Sequence, residues 1–212
     1  MWAYIKDNKI EQIYQRPKSL VIGEVRYPSN MFTKYTDAEK AAIGIYPVED
    51  SGTKGDDRFE NTSQATYTWS ASDKKVTTSY TITEKSLVDT ENKDESGNNI
   101  LDEKGNKTYI YGLKTQAKNV AKQKANGYIK RFNWLVERSI YDSSKAIPDA
   151  VKTYVAAIKT DCAEIETAID NASDMTAFKT LYQDTYNSDG SVKEIARINR
   201  WSDDYDVQQY VR

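Results

Sequence analysis

The sequence predicts an α+β protein: an N-terminal region rich in β-hairpins, followed by a C-terminal antiparallel helical bundle. Two observations carry this reading. Up to about residue 83, short runs of β-branched and aromatic residues alternate with turn clusters of Gly, Pro, Asn and Asp, which is the pattern of hairpins. From Gly112 to Tyr182 there is no proline except Pro148, and apolar residues return every three or four positions, as on one face of a helix. Four regions follow: 1–50, β-rich with one short helix; 51–111, a β-hairpin segment with a polar loop; 112–186, the helices; and 187–212, a tail or docking arm.

Trp2 to Lys6 and Ile10 to Tyr14 flank Asp7-Asn8-Lys9 and read as a hairpin, ended by Arg16-Pro17. Leu20 to Ile22 and Val25 to Tyr27 flank Gly23-Glu24 as a tighter one, with Gly supplying the positive φ of the turn. Thr36-Asp37-Ala38-Glu39 matches a capping box, so a short helix starts there and stops at Gly44. Ile45 to Val48 returns to strand, Glu49 to Asp57 is a loop, and Thr62 to Trp69 with Lys75 to Thr83 forms another hairpin. Leu87 to Gly105, full of Asp, Glu, Asn and Lys, is the least structured stretch by composition.

In the helical tract, Leu113, Ala117, Val120 and Ala121 make an apolar stripe, with Lys114, Lys118 and Lys122 opposite. Gly127 weakens the helix; Tyr128, Ile129, Phe132, Leu135, Val136 and Ile140 resume the pattern, giving two helices or one kinked helix near Arg131 or Asn133. Ser143 to Pro148 connects to a helix carrying Val151, Tyr154, Val155, Ile158, Cys162, Ile165 and Ile169, closed by Asp170-Asn171. Ser173 fits as the N-cap of a short helix through Met175, Phe178 and Tyr182. The tail holds Trp201, Tyr205 and Tyr210 among charges, a mixture that suits an arm docked on a neighbour or a segment folded back.

Composition narrows the chemistry. With 30 basic and 32 acidic side chains, nothing general favours nucleic acid or an anionic membrane. The basic series Lys114 to Arg131 lacks aromatics on its own face, which a nucleic-acid patch needs. No window is long and apolar enough for a membrane span, and Met1 to Lys6 is no signal peptide, so the expectation is a soluble protein made in a cytoplasm. Mean hydropathy is −0.78, yet there are 16 Tyr and 4 Trp. Aromatics are enriched both at protein contacts and in strands, so an assembly surface and ordinary β-propensity both account for them.

No histidine occurs, which removes the usual general base and metal ligand. Asp161 and Glu164, three apart on one helix, are the candidate acid and base of a carboxylate enzyme, against the plainer reading of a solvated acidic face. Asn92 to Glu103 has an EF-hand spacing, but Asn opens it, Asn99 replaces an apolar residue and its flanks are not helical, so a solvated hairpin or loop is expected and no metal. No glycine-rich phosphate loop is present, and no cofactor is expected. Cys162 lies on an apolar stripe and reads as a small core residue.

Three stretches together resemble a family of small tailed-phage proteins described as tail, tail-fibre or tail-fibre-associated proteins. They are Met1-Trp2-Ala3-Tyr4-Ile5 with Arg16-Pro17; Tyr27-Pro28-Ser29, Phe32, Thr36 to Glu39 and Gly44-Ile45-Tyr46; and Gly112-Leu113-Lys114, Trp134, Arg138, Ala146-Ile147-Pro148, Thr153-Tyr154, Glu166, Ala168-Ile169 and Asn171 to Asp174. Val155 stands where similar proteins often carry Arg. The resemblance implies a non-enzymatic virion protein of the tail, at the baseplate or fibre attachment region, present in several copies and held by other tail proteins. The alternative it allows is a fibre-assembly chaperone that leaves the finished particle. The contact candidates are Trp2, Tyr4, Trp134, Arg138, Tyr154, Trp201 and Tyr205; Trp134 and Arg138 share a helical face, as a stacked pair or as a core Trp beside an exposed Arg.

Overall fold

The computed structural model describes residues 1–211. At 36% helix and 24% strand the protein is mixed α+β, with a curled sheet and a helical C-terminal half. It divides into two compact units, Met1–Thr83 and Glu84–Arg212.

The first unit is built on β1 (Trp2–Lys6) and β2 (Lys9–Tyr14). Asp7 and Asn8 between them both take positive φ, 50° and 60°, the geometry whose twist suits a two-residue hairpin. The small hairpin of β3 (Leu20–Ile22) and β4 (Val25–Tyr27) turns at Gly23, φ 61°. Next come α1 (Met31–Lys34), which the sequence pattern missed, and α2 (Asp37–Ala42), opened by the Thr36–Glu39 capping box. Gly44 (φ 80°) then reverses the chain into β5 (Ile45–Glu49).

After the loop come β6 (Glu60–Thr62), β7 (Thr66–Ser70), β8 (Lys75–Ser79) and β9 (Ile82–Glu84). Sheet order is β2-β1-β5-β8-β7, with β6 and β9 paired separately. Hence β7 and β8, expected in a region apart from 1–50, complete the same sheet as β1. The β5–β8 pairing is parallel, Val48 beside Val76, a long-range choice that hairpin patterns do not announce. The Val48 N–H bonds Met1 O, on the β1 side. By strand alternation the neighbouring Pro47 faces β8, where its nitrogen has no hydrogen to give.

β1 is covered on both faces. Trp2 and Tyr4 join Tyr14, Leu20, Met31, Phe32 and Ile45 on one side, while Ala3, Ile5 and Val76 pack with Tyr67 and Trp69 on the other. The sheet curls far enough for Trp69 Nε1 to donate to Asn8 Oδ1 at 2.8 Å.

The second unit opens with an ordered surprise. β10 (Thr90–Glu91) pairs with β11 (Tyr109–Ile110), and between them stand two small hairpin loops. Asn92, Ile100 and Thr108, eight residues apart, close a ring of backbone bonds: Asn92 N–H to Thr108 O, Thr108 N–H to Ile100 O, and Ile100 N–H to Asn92 O, at 2.8–2.9 Å. Each loop is one copy of Asp-Glu-x-Gly-Asn, residues 94–98 and 102–106. In each, the Asp Oδ1 accepts the N–H two and four residues on, the Asn amide reaches the other oxygen, and Gly takes φ near 80°. The segment that composition marked as least structured is thus a three-way β junction. Its side chains satisfy its backbone without an apolar core.

The helices follow: α3 (Leu113–Lys130), α4 (Asn133–Tyr141), α5 (Asp149–Asn171) and α6 (Met175–Thr180). α3 runs through Gly127 and breaks at Arg131–Phe132. It packs along α5 through Leu113, Ala117, Ala121 and Ala125, all buried. Val120 is exposed instead. The lysines are not on the far side: Lys118 pairs with Asp170 at 2.8 Å, Lys122 with Glu166 at 3.1 Å, and Lys114 donates to the Asp170 carbonyl. Small alanines let the two helices approach, so lysines beside the stripe reach across the seam. The N-cap of α6 is Asp174, which accepts the Ala177 N–H, and Ser173 only supports it. Past α6, β12 (Thr185–Tyr186) and β13 (Val192–Glu194) form a hairpin, and 3-10 turns at Arg197–Asn199 and Tyr205–Tyr210 carry the chain back over α5. Among the described residues no helix is long and apolar enough to cross a membrane.

Candidate interaction site

The tail does fold back, and most of the candidate side chains in this unit serve that contact. Arg131, at the break between α3 and α4, is its centre. Its guanidinium donates to Asp204 at 2.9 Å and to the Tyr154 hydroxyl at 3.2 Å, with its Nε on Tyr128 O at 3.3 Å. The rings of Tyr128 and Phe132 lie 5.7 and 5.6 Å from its carbon, close enough for cation–π attraction. Burial opposes the charge, but Asp204 and Tyr154 hold the guanidinium above its ordinary range. Burial also pushes the Tyr154 hydroxyl up, against the pull of Arg131. Gln208, followed by Arg131, holds Asp204 below the usual carboxylate range.

Around this cation the tail is pinned at five further points. Val207 is buried with Ala125, Phe132, Leu135, Val151, Tyr154 and Ile158. Trp201 packs on Tyr128, centroids 5.5 Å apart. Trp134 Nε1 donates to Tyr210 O at 2.9 Å, and Arg138 lies over the Trp134 ring at 5.1 Å. The proposed acid–base pair of α5 is engaged as well: Asp161 accepts the Ser202 N–H at 2.7 Å, and Glu164 pairs with Arg197 at 2.7 Å. The two carboxylates therefore have different partners, both on the tail. Cys162 is partly buried, and its thiol is raised by burial, which lowers its thiolate fraction.

In the first unit, Trp2 packs on Phe32 with centroids 4.7 Å apart, and Tyr4 lies against Gly44, where an added Cβ would stand 3.1 Å from its ring. Both are half-buried in their own unit. Of the seven contact candidates only Tyr205 is free in solvent, 79% exposed.

Sequence periodicity missed the surfaces that are open. At the end of α4, Val136, Ile140 and Tyr141 are exposed, the last at 92%. Beside them Ile129, Phe132, Val136, Ile147, Val151 and Val155, with Asn133 and Lys152, line a mostly apolar groove of about 140 Å³ between α4 and α5. Val136 and Ile140 were expected on the buried stripe, but α4 is only nine residues long and Leu135 is its one buried residue. Leu101, Tyr109, Ile110 and Tyr111 are exposed on the β junction, and Tyr186 and Val192 on the last hairpin.

A second hollow of about 260 Å³ lies between α5 and the tail, lined by Thr153, Tyr154, Ser202, Asp203, Asp206 and Val207 among others. Its polar lining is hydroxyl and carboxylate. Among the described residues no group of three or more Cys, Asp or Glu side chains stands ready for a metal ion. Asn92 to Glu103 spans the first turn of the junction and only the start of the second, and Asp94 accepts hydrogen bonds from its own loop. No family model, no curated protein and no solved structure matches this chain.

Proposed function

We propose that this protein is a non-enzymatic structural component of a bacteriophage tail, at the baseplate or fibre attachment region, working in several copies through protein–protein contacts. One observation carries most of the weight. The second unit leaves large apolar side chains in solvent on three separate elements: Leu101 and Ile110 on the β junction, Ile140 and Tyr141 on α4, Tyr186 on the last hairpin. Scattered single exposures are ordinary, but clustered ones mark contact surfaces. In the same unit, Asp161 and Glu164 are engaged by the tail.

In this reading α4 and α6 join the α3–α5 pair as an antiparallel bundle that the tail clamps into one rigid body. The resemblance of the Trp134, Arg138, Pro148 and Tyr154 pattern to small tail proteins points the same way. Mass spectrometry of purified phage particles tests it: the chain is expected in the particle, in multiple copies. A chain abundant in the lysate and absent from particles is instead an assembly chaperone.

A further inference from the structure

We infer that the open end of β2 is a docking edge for an extended, acidic segment of a partner protein, which adds to the sheet as a further strand. The site lies wholly in the first unit and does not depend on the tail reading.

β2 stands at the margin of the five-stranded sheet, with β1 on its inner side. Within β1, Met1 O accepts the Val48 N–H and the Ile5 N–H donates to Gly44 O. The odd residues of β1 therefore turn their backbone toward β5, and the even ones, Trp2 and Tyr4, toward β2. Their partners in register are Tyr14 and Gln12. Ile13, between those two, points its N–H and C=O away from β1, and no hydrogen bond among the described residues engages either group. At the other end of β2 the margin is closed, because the sheet curls and Trp69 Nε1 donates to Asn8 Oδ1. At the Ile13 end it is open: Ile13, Tyr14, Gln15, Arg16 and Lys18 line a hollow of about 360 Å³.

Charge selects the occupant. Arg16 and Lys18 are exposed, and neither has an ion-pair partner among the described residues. Lys18 Nζ rests 5.2 Å from the centre of the Tyr14 ring, a cation–π contact that keeps it at the margin. From Lys9 to Lys18 the only acid is Glu11, against Lys9, Arg16 and Lys18. Such charges, with the register shift after Tyr4, turn away an uncharged strand. Carboxylates on the incoming strand convert the same charges into attraction. A phosphate group takes the cations and the N–H but leaves the Ile13 carbonyl unpaired, whereas a peptide backbone satisfies both. Pro17 has no N–H to give and ends the edge, so the added strand pairs over a few residues only and binds weakly.

The test is a nuclear magnetic resonance titration of the full, isotope-labelled chain with a capped Thr-Glu-Val-Glu-Val-Glu-Thr peptide. Saturable shifts are expected at Ile13 and Gln15, with slowed hydrogen exchange at the Ile13 amide. Arg16→Glu with Lys18→Glu is expected to weaken binding by about tenfold or more and to transfer the preference to the same peptide with Lys for Glu. Both positions are exposed, and unchanged circular dichroism confirms that the variant folds. The parent peptide N-methylated at every second residue keeps its charges, and in one of its two frames it should bind about fivefold more weakly. Equal binding of both frames overturns strand addition, leaving charge attraction alone. No shift at Ile13 or Gln15 up to millimolar peptide overturns the docking edge. Inorganic phosphate or a single-stranded oligonucleotide that displaces the peptide at lower concentration than the peptide itself needs overturns a peptide as the occupant.

Discussion

Two glycines, fifteen residues apart, show how much a single hydrogen can decide. Gly112 caps α3 at an ordinary φ of −70°, so its need is for space, not for backbone freedom. A Cβ there would lie 2.4 Å from the Val88 carbonyl carbon, and backbone cannot yield as a flexible side chain can. The segment is held close because Leu113 N–H bonds Ser86 O and Gly112 N–H bonds Asp89, which satisfies donors that the helix start leaves open. Gly127, within α3, has nothing within 4 Å of its missing Cβ. The two alanine replacements should therefore have opposite signs. Gly112→Ala is expected to destabilise by about 1–3 kcal/mol, and Gly127→Ala to stabilise by about 0.5–1 kcal/mol, read from urea unfolding midpoints.

Arg131 belongs to the same scale. In the sequence it is one more cation in a basic series, and only its position beside Phe132, on the same helical side as Tyr128, hints that it faces inward. The partner that fixes it, Asp204, is more than seventy residues away, and no local spacing encodes such a pairing.

Elements whose identity depends on neighbours in sequence were legible; those that depend on distant partners were not. The first hairpins, the Thr36 capping box, the break after α3 and the apolar stripe of α5 all follow from local signals. The parallel β5–β8 pair does not, and neither does the exposure of Val136 and Ile140, which share the spacing of a buried stripe. The β junction is legible in part. Composition predicts a solvated hairpin or loop there, and the Asp-Glu-x-Gly-Asn repeat is plain in the sequence; the ring of bonds joining Asn92, Ile100 and Thr108 is not, although Asp and Asn can order a turn with their own side chains.

That junction has a pH signature. Asp94 and Asp102 are held below the usual carboxylate range, each chiefly by the backbone N–H of the Asn four residues on, then by its side chain. A carboxyl depressed in the folded state adds stability that is full above its unfolded pKa and lost as pH falls through the folded one. Stability should therefore decline from about pH 4 downward. Asp94→Asn with Asp102→Asn is expected to flatten that part of the curve and leave neutral pH less stable than wild type, as measured by thermal melting between about pH 2 and 7.

At the scale of the whole molecule, charge and exposed apolar surface combine. The formal net charge is only −2 at neutral pH, and the isoelectric point lies near 5.4. A surface carrying Ile140, Tyr141 and Ile110 has little repulsion to keep copies apart at that pH. Solubility should pass through a minimum near pH 5.4 and recover on either side, in a light-scattering titration at constant ionic strength. Replacing Ile110 by Lys and Ile140 by Glu, which leaves the net charge unchanged, should shallow the minimum; an unchanged profile would assign the loss to net charge alone.

Pro47 bears on how the first unit is made. As the ribosome delivers the chain, β1, β2 and β5 exist before β8, so the outer margin of β5 waits uncovered while some thirty more residues are polymerised. An uncovered strand margin invites pairing with a foreign strand. Because Pro47 presents a ring instead of an N–H on that margin, a nascent chain is a poor template for its siblings on the same polysome, and the vacancy is kept for β8.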